Sequence, residues 1–287
     1  MRNFAIVTDS SCDLPREIAE QFEISVAQLD VTTGDGRTMP DEALDRGEFY
    51  AYLRKGGSAS TASVSIGKFT DLFTDLLQKG NDILYIGFSS GLSATCKAGQ
   101  TAAEDLRGQF PERKILVVDT LAASLGQGML VYLAANKREE GATIEETAQW
   151  LEDHKLNLCH WFTVEDLFFL KRGGRISAAT AVLGSMLSIK PIMHVDNDGH
   201  LINVGKARGR RGAIAELCNR MEKSAVNPGE QTIFISHGDC KEDAETLASM
   251  IREKIGVKDV IIGCVGPVIG AHSGPGTLAL FYLGSER

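Results

Sequence analysis

The sequence predicts an α/β protein in two parts: a three-layer α/β/α unit on a parallel sheet over residues 1–154, and an α/β unit on a mixed sheet over 155–287. Two observations carry this. In the first part short apolar runs alternate with stretches of helical periodicity, which implies parallel strands with helices on both faces. In the second part "DNDG" at 196–199 joins two apolar runs as a hairpin turn, because Asp-Gly and Asn-rich turns tolerate positive φ. A hairpin among βα units makes the sheet mixed.

The elements follow in order. Residues 4–7 form a strand and 14–22 a helix with Pro15 near its first turn. Residues 25–29 form a strand. Phe69, Leu72, Phe73, Leu76 and Leu77 give 65–78 the spacing of an amphipathic helix. Strands at 82–87 and 114–118 are followed by helices at 92–107 and 122–140. "TIEE" at 143–146 is a capping box opening another helix. In the second part strands are expected at 159–164, 189–195, 200–205, 231–236, 260–264 and 277–283. Helices are expected at 166–170, 177–186 and 241–255. The "GAHSGPG" stretch at 270–276 reads as a glycine-rich turn before the last strand.

Composition narrows the function. The chain has 287 residues, 43% hydrophobic and 24% charged, within the ordinary globular range. No apolar run reaches the ~20 residues of a membrane span, and the N-terminus lacks the pattern of a signal peptide, so a cytoplasmic protein is expected. The net charge of −8 argues against a nucleic-acid binder. Residues 171–211 nonetheless carry +6 against −14 for the remainder, the pattern of a docking face for an acidic partner or of a solvated surface. Six scattered cysteines without C-x-x-C point to reduced thiols. His237 and Cys240 supply two zinc-ligand types, too few for a closed site, so no metal is expected.

Polar residues gather after the strands of the first part: "TDSSCD" at 8–13, "GFSSGLS" at 87–93 and "DT" at 119–120. Adjacent strand ends followed by helix N-termini form an anion-binding crevice in open parallel sheets, although Ser, Thr and Asp also serve as plain caps. "GFSSG" at 87–91 also fits G-x-S-x-G. A serine esterase would use Ser89 as nucleophile, His272 as base, and Asp239 or Asp243 as the orienting acid. The absence of an HGGG-type loop before it, and the hairpin in the second part, argue against that reading.

Six blocks together resemble the DegV family: "VTDSSCDLP" (7–15), "GFSSGLSATC" (87–96), "DLFFLKRGGRIS" (166–177), "IKPI" (189–192), "GKARGRR" (205–211) and "GPVIGAHSGPGTLALFYLG" (266–284). The resemblance spans about 3–284. It implies a two-domain DegV-like α/β fold holding one long-chain fatty acid in a tunnel, with no other cofactor. It also implies a non-enzymatic subunit that presents the carboxyl group to a separate ATP-dependent fatty acid kinase for acyl-phosphate formation. A small-molecule sensor without a kinase partner is a further reading.

By that resemblance Thr61, Ser93 and His272 would hold the carboxyl group, with Ser65, Cys96, Val182 and Met186 around the pocket. Arg172, Arg208 and Arg210, with Arg175, would meet the kinase subunit, the transferred phosphate or anionic lipid at a membrane surface. Structural pairing is the competing role for Arg172 and Arg175, beside Gly173 and Gly174. Residues 61–65, "TASVS", lack the family's glutamine and proline. Cys96 stands where the family often has tyrosine, so acyl preference is open. Burying ten methylenes at ~0.8 kcal/mol each contributes about 8 kcal/mol before association costs. The tail therefore drives binding and the polar end orients it. A cradle of two hydroxyls and an imidazole, without a fixed arginine, would leave the carboxylate nucleophilic.

Overall fold

The computed structural model describes residues 4–177 and 188–287. The first sheet contains β1 (Ala5–Asp9), β2 (Ser25–Ala27), β6 (Ile83–Gly87) and β7 (Ile115–Asp119), in the order β2-β1-β6-β7 with every pair parallel. The central strand β6 is buried at all five positions, as a parallel strand covered on both faces must be. Its cover comes from α3 (Ile66–Gln78) and α4 (Thr95–Arg107) on one side and α5 (Leu125–Glu139) on the other. Ser65 caps α3 by accepting from Lys68 N, and Phe69, Phe73 and Leu77 form its buried stripe. Each such side chain contributes about 2 kcal/mol of burial. α1 (Arg16–Gln21) and α6 (Ile144–His154) complete this half, and Thr143 with Glu146 forms the capping box.

The second sheet is six-stranded and mixed. It contains β8 (Leu158–Thr163), β9 (Ile189–Val195), β10 (Leu201–Arg208), β11 (Thr232–His237), β12 (Asp259–Cys264) and β13 (Leu278–Leu283). The order is β10-β9-β8-β13-β11-β12, parallel only between β11 and β12. The β9–β10 hairpin turns on Gly199 at φ +78°, and the Asp196 carboxylate accepts from Asp198 N and His200 N.

α5 lies between the two sheets. It packs on β1 and β6 on one side and on β8, β11 and β13 on the other. A helix so placed must be apolar nearly all round, and Leu125, Met129, Leu130, Val131, Ala134 and Ala135 are all buried. One hydrophobic cluster therefore runs from Phe4 and Ile6 through α5 to Phe234 and Phe281.

Several elements differ from expectation. β3 (Asp30–Thr33), β4 (Thr38–Pro40) and β5 (Ala59–Ala62) form a small antiparallel sheet in the order β4-β3-β5, and α2 (Arg46–Arg54) lies within it in sequence. These strands are three or four residues long and rich in Thr and Ser, so no apolar alternation marks them. The expected 166–170 helix is α7 (Phe168–Arg172), because the Asp166 carboxylate caps Phe168 N. α8 (Gly209–Ser224) was not anticipated, although Ala213, Leu217 and Met221 recur at its buried face. α9 (Lys241–Lys254) was. The stretch read as a turn at 270–276 is in its first part a helix, α10 (Pro267–Ser273), with Pro267 at its first position. The helix expected at 177–186 lies outside the described residues, except Ser177.

Candidate functional site

An apolar cavity lies where β5, β6's following loop, α10 and the inner face of the second sheet meet. About 680 Å³ of space, including its mouth, separates the lining atoms. Leu29, Phe88, Leu92, Phe162, Leu170 and Val268 are among its walls. Its polar lining residues include Thr61, Ser93, Ser124, His160, Arg175, Ser236, His272, Ser273 and Thr277.

The structure brings Thr61, Ser93 and His272 to this one cavity. Thr61 leaves the small sheet at β5, in register with Val31 of β3. Its Oγ1 lies 2.8 Å from His272 Nε2 in the last turn of α10. Ser93 Oγ lies 2.9 Å from Thr95 Oγ1 and 3.4 Å from Ser63 Oγ, and it accepts from Thr95 N at the start of α4. Burial holds the His272 imidazole down at about 4, aided by the repulsion of Arg175 and Arg172. The ring is therefore neutral at neutral pH, with one donor and one acceptor nitrogen. Its Nδ1 is buried without a hydrogen-bond partner among the described residues. Gly173 lies against that nitrogen so closely that a Cβ there would overlap it.

Several polar lining groups were not placed at the pocket by the sequence, Arg175 and Ser273 among them. Arg175 lines the cavity, donating to Leu92 O at 3.1 Å and to Gly173 O. The polar end is thus not the arginine-free cradle expected: a half-buried guanidinium stands beside the hydroxyls and the imidazole. Among the described residues its partners are backbone carbonyls rather than a carboxylate. Ser273 Oγ is buried in the cavity wall without a partner among the described residues. Its position next to His272 was the available signal.

Other expected residues lie elsewhere. Ser65 is exposed and occupied as the α3 cap. Cys96 is buried in the cluster formed by Tyr85, Phe69 and Ala103, not on the cavity wall. Val182 and Met186 fall outside the described residues. Arg172 is exposed and stacks on Phe169, with 4.8 Å between guanidinium carbon and ring centre. Arg208 is exposed. Arg210 is ion-paired with Asp243 at 2.8 Å and donates to Cys240 Sγ, so it belongs to a structural pair. Lys190 of the same basic segment is paired with Glu165.

The esterase reading is not supported. Ser89 is 0% exposed, and its hydroxyl donates to Gly199 O at 2.9 Å. The hairpin tip packs onto this loop, and a Cβ at Gly91 would strike Asp198 O at 2.7 Å. His272 faces Thr61, Asp239 is paired with Arg54 and Asp243 with Arg210, so the four residues form no triad. Ser93 apart, the loops expected to make an anion crevice hold Asp9, Thr120 and Asp119 in internal hydrogen bonds. Asp9 accepts from Tyr85 OH, Phe88 N and Ser11, Thr120 donates to Gly87 O, and Asp119 accepts from Ser90 N and Leu121 N. His237 Nδ1 accepts from Cys240 N within a turn, at 3.4 Å. No helix among the described residues is long and apolar enough to cross a membrane.

Comparison with known proteins gives a consistent set of likenesses. The model of the family described as "Uncharacterised protein, DegV family" matches residues 3–285. A DegV domain-containing protein of Clostridium perfringens is 46% identical over 289 residues, covering 100% of this chain and 99% of that one. Among solved structures, a DegV family protein of Thermus thermophilus, described for its fatty acid binding, has a TM-score of 0.89. It is 29% identical, with 99% of this chain and 100% of that one covered. DegV of Bacillus subtilis, described as a fatty acid binding protein, has a TM-score of 0.85 at 29% identity and the same coverage.

Proposed function

The chain belongs to the DegV family, and on that premise we propose that it binds a long-chain fatty acid in the cavity and presents the carboxyl group to a separate ATP-dependent kinase. The observation that carries this is a mostly apolar cavity ending on Thr61, Ser93, His272 and Arg175. The tail supplies affinity by leaving water, and the polar end orients the head. Thr61 and Ser93 hydroxyls and the neutral His272 ring offer donors to the carboxyl group, and Arg175 lowers the cost of holding it ionised. Likeness over the whole length to two proteins described as binding fatty acids supports the reading.

In this proposal the chain is no enzyme and needs no cofactor besides the lipid. It works in the cytoplasm, as two units over 1–154 and 155–287 with the cavity between their sheets. Arg172 and Arg208, both exposed, are basic groups that would meet a kinase subunit or an anionic membrane surface, while Arg210 is held by Asp243. Native mass spectrometry of the purified protein tests the lipid step: a retained mass of a long-chain acid is expected. A protein that neither retains nor takes up stearic acid would sink the reading. Lipid binding without a co-purifying kinase would restrict it to binding alone.

A further inference from the structure

The far end of the cavity is not wholly apolar. His160 of β8 is a lining residue, 4% exposed, and its Nδ1 is buried without a hydrogen-bond partner among the described residues. Its ring lies against Phe162 and Phe281, 5.6 and 4.6 Å between centres. Strand register locates it. His160 pairs with Phe281, and Phe162 with Ala279, so these four share one face of the sheet. Thr277, whose hydroxyl donates to Ser273 O, marks the His272 end of that face. Four strand steps lead from Thr277 to Phe281, which places His160 about 14 Å along the sheet from the polar end.

A buried imidazole nitrogen left without a partner is destabilising, and an alkyl chain packed against it would exclude water and complete its isolation. A neutral imidazole offers one donor and one acceptor, which matches a hydroxyl or a carbonyl and no charged group. We propose that His160 selects acyl chains carrying a neutral oxygen substituent, a hydroxyl or keto group, on the half distant from the carboxyl group. This rests on the fatty-acid reading above. It adds a second polar contact to the ligand, and it makes His160 a specificity-determining residue.

The test is displacement of a fluorescent fatty acid by stearic acid and by a set of hydroxystearic acids whose hydroxyl moves along the chain. The expected result is one distal position binding about tenfold tighter than stearic acid, the size of one buried hydrogen bond. In His160→Phe that preference should vanish while stearic acid binds at least as tightly as to the wild type. Equal or tighter binding of stearic acid than of every hydroxystearic acid by the wild type overturns the proposal, whether or not the variant folds. A preference that survives His160→Phe also overturns it. If the wild type binds none of these acids, the fatty-acid reading itself fails along with it.

Discussion

Thr61 Oγ1 and His272 Nε2 lie 2.8 Å apart although 211 residues separate them in the chain. The contact ties β5 of the small sheet to the last turn of α10, and so ties the two walls of the cavity's polar end. Thr61→Ala removes the one protein partner that His272 Nε2 has among the described residues' hydrogen bonds. Loss of stearic acid affinity by about tenfold is expected by titration calorimetry, together with a stability loss of about 1 kcal/mol in urea melts. Unchanged affinity would show that the pair does not orient the head group.

Gly173 should tolerate no side chain. Its φ of −73° is open to any residue, so the constraint is the imidazole packed against it. Gly173→Ala is expected to push His272 off Thr61 and cost about 1–3 kcal/mol, the usual cost of overpacking. Fatty acid binding should fall with it. A variant with wild-type melting and binding would mean that the ring moves aside freely.

His272 should titrate far below an ordinary histidine. Its folded value of about 4 lies below the ordinary histidine value of 6.5, so the unfolded chain takes the proton first. Stability from the neutral buried ring is complete above pH 6.5 and is lost as pH falls toward 4. An NMR titration of the ring checks the value. Arg175→Gln should raise it, since burial is the main cause and Arg175 the next.

Asp13 should act in the opposite sense. Burial pushes its carboxyl up to about 7, against the attraction of Arg46 and the hydrogen bonds from Ser124 and Gly266 N. A raised carboxyl favours the folded state below its unfolded value of 3.8, and that advantage is lost as pH rises through 7. Asp13→Asn keeps both hydrogen bonds: its oxygen accepts from Gly266 N, and its amide donates to Ser124. The variant is expected to be more stable than wild type above pH 7, by on the order of 2 kcal/mol, with the gain shrinking toward pH 4. Denaturant melts across that range decide it, and a gain that grows as pH falls would contradict the assignment.

Ser89 should be inert to nucleophile probes. It is fully buried, donates to Gly199 O, and lies outside any Ser–His–Asp arrangement. No labelling by a fluorophosphonate and no ester turnover are expected. Ser89→Ala should cost about 1 kcal/mol through the lost tie to the hairpin.

Local chemistry in the sequence determined much of the fold. The βα alternation, the Asp-Gly hairpin, the capping box at Thr143 and the Phe69–Phe73–Leu77 stripe act over a few residues, and each reappears in the structure. The family resemblance named Thr61, Ser93 and His272, which do line one cavity. What tertiary structure decided are the pairings over long chain separations. It closed Ser89 under the hairpin, occupied Asp239 and Asp243 with arginines, brought Arg175 to the polar end, and left His160 Nδ1 in the far wall without a hydrogen-bond partner among the described residues. A hydroxyl, carboxylate or imidazole takes its role from the partners within hydrogen-bond reach. Those partners come from strands and loops that only the packed sheets bring together.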